Sequence, residues 1–331
     1  MDGNVSTLNT VNPINPMLNT SNAVSRGRAL FRLAVAVPFF LGAALYLSVI
    51  FAAFSALPLV YSHLRFGRVV GILCSITNMA LVFAVSGRMN AAVFFVLAVV
   101  LAASIAECIK LKLKLEWNVL FSVGVMLVVS ALLLLSYSHR FHINPLQKLD
   151  AEVGAIVDQV ANNVEKYKAS ATISSQDLDK FLVDPEMTKR NILYELPSFV
   201  TIFLLTIAVG NLLLLLRLNL QGARDSQRLE PDFFKNWKAP DHMVWPTLIA
   251  GFCLVVELPI LSDVALNVFK VLLAIYALQG LAISNYLFDL WGVKGFLRLL
   301  GYVLAVVLLF PLLVSLGFFD LWFDFREKFK I

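Results

Sequence analysis

Two aspartates near the end of the chain have a spacing that could serve acid/base chemistry. Asp320 and Asp324 lie four residues apart in SLGFFDLWFDFREKFKI, which places both carboxylates on one helical face. Acid/base catalysis also needs a carboxyl pKa that a dry cleft has raised. Here aromatic rings surround the helix, and Arg326 and Lys328 are close enough to neutralise the acids. We therefore interpret the segment as an interfacial aromatic anchor, with catalysis by this pair as the alternative.

Common catalytic and metal-binding motifs are missing from the sequence. It contains no GxxxxGK[ST], GxGxxG, HExxH or GxSxG pattern. His139 and His142 have a spacing that metals accept, but without a nearby carboxylate or thiolate we interpret them as membrane-edge residues. Cys74, Cys108 and Cys253 are isolated and are predicted to behave as small hydrophobes. We predict no catalytic residue, no metal and no cofactor.

A second group of polar residues lies within the apolar segments. Glu257 precedes and Lys270 follows a predicted turn at residues 262–263, so an antiparallel helix pair would place both charges at similar depth. Because an unpaired charge there costs at least about 2.5 kcal/mol, we expect an ion pair. Asn267 lies one turn before Lys270 on the same helix face. We expect these three residues to line an outward-facing solute pocket; the alternative is a purely structural pair or a snorkelling lysine.

Four amides also fall inside apolar runs, and we expect each to make interhelical hydrogen bonds, with a ligand role as the minority alternative. They are Asn78, Asn211, Gln279 and Asn285.

The composition is that of an integral membrane protein. Of 331 residues, 59% are hydrophobic and 15% are charged, whereas about a quarter of an ordinary soluble domain is charged. The formal charge of +5 is spread over short loops between apolar runs instead of forming one basic face. We therefore expect the lipid bilayer as a partner and exclude nucleic acid.

Apolar run lengths predict an all-α polytopic transmembrane bundle with about eight to nine membrane segments. The first run, residues 29–62, is either two short helices meeting near residues 46–49 or one tilted helix. We predict five regions: a disordered cytoplasmic tail at 1–28, transmembrane bundles at 29–137 and 193–318, an extracytoplasmic helical insert at 138–192, and an interfacial aromatic tail at 319–331.

Lysine and arginine in the short loops predict the orientation, because positive residues stay on the cytoplasmic side. Most fall inside if the N-terminus is cytoplasmic and the first run is a hairpin. The insert then lies outside, as two or three short helices with an apolar stripe that includes Val153, Ile156 and Val160. The loop from Trp237 to Trp245 mixes aromatic and lysine residues and is predicted to lie along the cytoplasmic surface.

Several stretches resemble the YybS-like predicted membrane proteins, a bacterial family with a domain of unknown function. The resemblance rests on LPLVYSHLRFGRVVGIL (57–73), the WxxPxxxVW of residues 237–245, YALQGLAIS (276–284) and LGFFDLWFDFR (316–326). That family is similar in fold to the substrate-binding S components of energy-coupling-factor transporters and to rod-shape-determining membrane proteins. The resemblance implies an S-component-like core with extra helices and a small-molecule cavity towards the outside.

In S components, small-residue faces contact a membrane coupling subunit, and Ala52 and Ala56 have that spacing. The resemblance thus implies a helix-docking face at these two residues. We predict a non-enzymatic multi-pass protein of the bacterial inner membrane that binds a small solute or couples to a partner subunit. The alternatives are an envelope scaffold and a membrane-embedded enzyme.

Overall fold

The computed structural model describes residues 35–142, 144–170, 185–218, 233–256 and 261–328. Within these ranges the chain is helical and contains no β-strand. Thirteen α-helices lie within the described residues: α1 (Pro38–Leu47), α2 (Ala56–Arg65), α3 (Arg68–Phe94), α4 (Leu101–Lys110), α5 (Leu115–Phe141), α6 (Pro145–Ser170), α7 (Pro185–Arg217), α8 (Phe233–Asn236), α9 (Val244–Val255), α10 (Leu261–Leu290), α11 (Gly295–Val307), α12 (Phe310–Phe323) and α13 (Phe325–Lys328). Short 3₁₀ turns occupy Ala52–Phe54 and Asp241–Met243, and a π-turn at Phe95–Val100 joins α3 to α4.

Proline and positive backbone angles mark several helix ends. Helices α1, α6 and α7 begin at a proline, whose missing N–H is not needed in the first helical turn. Between α1 and α2, Val49 has φ 63°. The first apolar run is therefore two short helices with a turn after residue 47, the first of the two predicted alternatives.

The stretch Arg68–Lys110 folds back on itself at Gly87. Gly87 has φ 80° and ψ −177°, a conformation that suits glycine and breaks the helix. Arg68, at one end of the stretch, donates a hydrogen bond to Glu107 near the other end, with an Nε to Oε1 distance of 2.9 Å. A straight helix of 43 residues would hold its ends about 64 Å apart, so the two arms must be antiparallel.

Four helical stretches among the described residues are long and apolar enough to cross a membrane: Arg68–Lys110, Leu115–Phe141, Pro185–Arg217 and Leu261–Leu290. Gly295–Val307 and Phe310–Phe323 make a fifth if they form one span bent by 91°. The prediction of eight to nine segments is thus not shown, even when Gly87 divides the first stretch into two. Two of the predicted runs became the shorter apolar helices Pro38–Leu47 and Asp241–Val255.

The described part of the predicted insert contains helix α6 and the first turns of α7. Helix α7 begins at Pro185 and continues past the predicted domain boundary at residue 192. Val153 and Val157 of α6 are buried, whereas Ile156 and Val160 of the predicted stripe are 59% and 54% exposed. Residues 171–184, where further short helices were expected, lie outside the described residues.

Helices α10 and α12 pack closely because both carry a glycine at their contact. A Cβ built at Gly317 would overlap the carbonyl oxygen of Tyr276, and one built at Gly280 would overlap that of Leu313. The Tyr276 side chain is fully buried at this crossing. Any side chain at either glycine would therefore push the two backbones apart.

We predict that Gly317→Ala destabilises the protein by about 1–3 kcal/mol, the usual cost of overpacking a tight contact. The measurement is thermal unfolding of the detergent-purified protein. Gly124→Ala is the matched control, since a Cβ at Gly124 meets no atom within 4 Å. Equal unfolding temperatures for the two variants would contradict the close packing of α10 and α12.

Candidate functional site

The predicted pocket residues lie at a helix contact between α7 and α10. The Lys270 ammonium lies 2.7 Å from a carboxylate oxygen of Glu195, so its partner is on α7. Glu257, the predicted partner, lies outside the described residues. The side chains of Lys270 and Glu195 are about one-third exposed.

Asn267 stabilises a helix that proline interrupts. Pro197 lies inside α7 and has no backbone N–H to donate. In an unbroken helix the Ser198 N–H would donate to the carbonyl of Tyr194, four residues earlier. Here the Ser198 N–H donates to Asn267 Oδ1 at 2.8 Å, and Asn267 Nδ2 donates to the Tyr194 carbonyl at 2.8 Å. The Asn267 carboxamide therefore bridges the backbone groups that flank the kink.

These contacts occupy the polar groups that were predicted to bind solute. Asn267 Nδ2 also donates to the carbonyl of Asp263 at 2.9 Å, so both of its N–H groups have partners. Neither Asn267 nor Lys270 lines the cavity described below. The geometry therefore favours the structural alternative for this pair of residues.

We predict that Asn267→Ala costs about 1–3 kcal/mol of stability, because it leaves backbone groups at the kink without partners. The same change in a Pro197→Ala background should cost less, since an unbroken helix supplies the Ser198 partner itself. Thermal unfolding, measured with and without Asn267→Ala in the wild-type and in the Pro197→Ala backgrounds, gives the cost of the change in each. Asn90→Ala, which removes one exposed hydrogen bond to Ser86, is the control. An equal cost of Asn267→Ala in both backgrounds would exclude the bridging role.

Asp320 is buried in a hydrogen-bonded network. Its side chain is 0% exposed, and one carboxylate oxygen accepts a hydrogen bond from Gln279 Nε2 at 3.0 Å. The other accepts from the backbone N–H of Phe325 at 2.9 Å. Arg326 Nη1 lies 3.5 Å from the carboxylate, which makes an ion pair. Burial lowers the pKa of the Arg326 guanidinium, and the charges of Asp320 and Asp324 act in the opposite direction.

The anchor interpretation therefore needs correction at this residue. The rings of Phe319, Trp322 and Phe323 are 46–58% exposed, as an interfacial collar would be. Asp320 instead faces the protein interior, where α12 packs on α10. Both of its carboxylate oxygens are engaged by groups of the protein itself, which supports a structural role for this side chain.

The chain before α9 also enters the protein instead of lying on its surface. Trp237 is only 9% exposed, and its carbonyl accepts a hydrogen bond from Arg326 Nη2 at 2.8 Å. The backbone N–H of Ala239 donates to Gln279 Oε1 at 3.1 Å. Lys238 lies 2.7 Å from Asp324, which ends α12 with φ 42°. Trp245, by contrast, is 66% exposed.

We predict that Asp320→Asn destabilises the protein by about 3–5 kcal/mol, since it leaves the Arg326 guanidinium buried without a counter-charge. Adding Arg326→Met to Asp320→Asn should recover part of the loss, because no charge is then buried. The exposed Glu327, changed to Gln, is the control and should unfold near the wild-type temperature. A double variant no more stable than Asp320→Asn would show that the ion pair is not the cause.

Ala52 and Ala56 do not form one helix face. Ala52 lies in a 3₁₀ turn, whereas Ala56 begins α2 and is 0% exposed. Ala56 is already covered by the chain itself, which removes it from any exposed docking surface.

The His139–His142 segment ends α5, and no group of three His, Cys, Asp or Glu among the described residues is arranged for a metal ion.

Interhelical hydrogen bonds account for the other intramembrane amides. Asn78 accepts from the Ala43 N–H at 2.7 Å and donates to the Pro38 carbonyl at 2.9 Å, which joins α3 to α1. Asn211 donates to the Ala53 carbonyl at 2.6 Å. Asn285 accepts from Tyr302 at 2.7 Å and from Arg298.

A cavity of about 400 Å³ lies between α5, α7, α10 and the segment from α8 to α9. Most of its lining is apolar or aromatic: Leu115, Trp117, Val119, Leu120, Leu205, Val209, Phe234, Trp237, Pro240, Met243, Ile275 and Leu278. Four ionisable residues also line it: Lys114, Glu116, Lys238 and His242. Sequence reasoning missed this site, because its walls come from four distant parts of the chain. One local signal was available, an acidic residue at the start of an apolar helix in the sequence LKLEWN.

A family described as predicted membrane protein (DUF2232) matches residues 34–321. No curated protein and no solved structure matches the chain. The matched region begins just before α1 and ends within α12 at residue 321. It therefore includes the cavity, the kink in α7 and the Asp320 carboxylate.

Proposed function

We propose a binding function for this chain, which belongs to the DUF2232 family of predicted membrane proteins. It is a non-enzymatic multi-pass protein of the bacterial inner membrane that binds a small amphipathic molecule. The observation that carries this proposal is the cavity of about 400 Å³ lined by Val209, Trp237 and Ile275. Small-molecule sites typically have volumes of about 300–1,000 Å³, apolar walls and a few polar groups.

The position of the cavity supports binding from the side that carries the basic loops. Lys114 and Lys238 line it, and the positive-inside rule assigns both to the cytoplasmic side. This differs from the outward pocket that the resemblance to S components implies. We therefore keep solute binding from that resemblance and propose that the cavity opens towards the cytoplasm.

The structure offers little support for an enzyme. Asp320 and Asp324 are the acidic pair in the sequence best spaced for acid/base work, and both have cationic partners, Arg326 and Lys238. These contacts engage both carboxylates within the protein, which supports a structural role for the pair. A non-enzymatic binding role needs only the cavity.

We predict that Val209→Phe lowers the amount of bound small molecule about tenfold. The phenyl ring occupies part of the cavity, and the resulting overpacking weakens the binding free energy of the ligand by on the order of 1.4 kcal/mol. The measurement is native mass spectrometry of the protein purified in mild detergent. Val200→Phe, at an exposed position of the same helix, is the control and should retain the ligand.

The same experiment separates solute binding from scaffolding. A wild-type protein that carries no small molecule but retains other membrane subunits would contradict the solute proposal and favour an envelope scaffold, the role suggested by the rod-shape-determining resemblance. A small molecule retained equally by both variants would place the binding site outside the cavity.

A further inference from the structure

Two polar atoms on cavity-lining residues are buried without a hydrogen-bond partner. One is the carboxylate oxygen Oε2 of Glu116, an acceptor, and the other is the indole Nε1 of Trp237, a donor. Trp237 is only 9% exposed. Buried polar groups in native proteins nearly always have a partner, because an unmade hydrogen bond is costly. Both residues line the same cavity, so one occupant can lie beside both side chains.

The Glu116 side chain lies close to the start of α5. It lies in the first turn of α5, where the helix dipole stabilises negative charge. Among the described lining residues, Glu116 is the one carboxylate. Its natural partner is therefore a cationic donor that enters the cavity.

The lysines in the lining do not supply that donor. Lys238 lies 2.7 Å from Asp324, so its charge already has a counter-charge. Lys114 immediately precedes α5 and is exposed, where solvent and salt screen its charge. Neither lysine makes a recorded hydrogen bond to Glu116 Oε2.

Aromatic rings line the same space. Trp117, Phe234 and Trp237 all contribute to the wall, and the rings of Phe234 and Trp237 stack with centroids 6.5 Å apart and planes at 9°. The face of an aromatic ring attracts a cation, most strongly for tryptophan. A carboxylate beside indole rings is a combination that favours an ammonium group over a neutral or anionic head.

We propose that the cavity binds an amphipathic molecule whose head carries an ammonium group, with the ammonium donating to Glu116 and an acceptor atom of the molecule receiving the Trp237 N–H. This inference rests on the proposed function, because it names the ligand class of the same cavity. The ammonium belongs either to a free amine or to a lipid head such as ethanolamine, and in both cases it donates hydrogen bonds to the carboxylate.

The test compares three probes with equal chains: octylamine, octanol and octanoate. Each is titrated calorimetrically into the full chain in one detergent, for the wild type, for Glu116→Gln and for the control Glu152→Gln in the exposed face of α6. We expect the wild type to bind octylamine about tenfold or more tightly than octanol. Glu116→Gln should abolish that preference, and Glu152→Gln should retain it. Unchanged thermal unfolding of Glu116→Gln shows that the variant folds.

Two further outcomes distinguish the failure of this inference from that of the proposed function. Equal binding of octylamine and octanol, tighter binding of octanoate, or a preference that survives Glu116→Gln would overturn the ammonium assignment while leaving the binding cavity. If none of the three probes binds the wild type, both proposals fail.

A lipid source is tested separately with vesicles. The protein is incubated with vesicles of phosphatidylethanolamine or of phosphatidylglycerol, and native mass spectrometry then identifies the retained lipid. Retention of phosphatidylethanolamine by the wild type and its loss in Glu116→Gln assign the site to a lipid head. Binding of octylamine without retention of either lipid assigns it to a free amine.

Discussion

The constraint that shapes this protein is that polar groups in an apolar helical bundle need partners within the protein. Water is absent from the hydrocarbon region, so an unpaired backbone or side-chain group there is expensive. Pro197 leaves backbone groups of α7 without their helical partners, and Asn267 of α10 forms hydrogen bonds with them. The same requirement explains why Asn78 joins α1 to α3 and why Gln279 joins Asp320 to Ala239.

Satisfying these groups also determines which helices become neighbours. Asn267 bonds to residues 69 and 73 positions earlier, and Asn211 bonds to a residue 158 positions earlier. Apolar packing alone specifies such pairings poorly, because lipid tails are as apolar as leucine. The amides therefore supply positional information, while close approach comes from glycines such as Gly280 and Gly317.

The sequence predicted the membrane class, the all-helical architecture and, as one of two alternatives, the break within the first run, because composition, run length and proline position are local properties. Partner choice was not predictable in the same way. Glu257, the acid predicted to pair with Lys270, lies outside the described residues, and the structure adds a contact between Lys270 and Glu195 on a helix far earlier in the chain. Asp320 shows the same limit: aromatic neighbours in sequence indicated an interface, but they carry no information about the direction of the carboxylate.

The Asp320 network and the cavity are physically continuous. Trp237 contributes a wall of the cavity, and its carbonyl accepts the hydrogen bond of Arg326, which Asp320 holds by charge. Lys238, the next residue, lines the same cavity and pairs with Asp324. The segment from residue 237 to residue 239 has little regular structure of its own, so these contacts with α10, α12 and α13 determine its position. An occupant that bonds to the Trp237 indole would therefore stabilise the same segment from the opposite side, and its binding energy would be linked to the docking of the C-terminal helices.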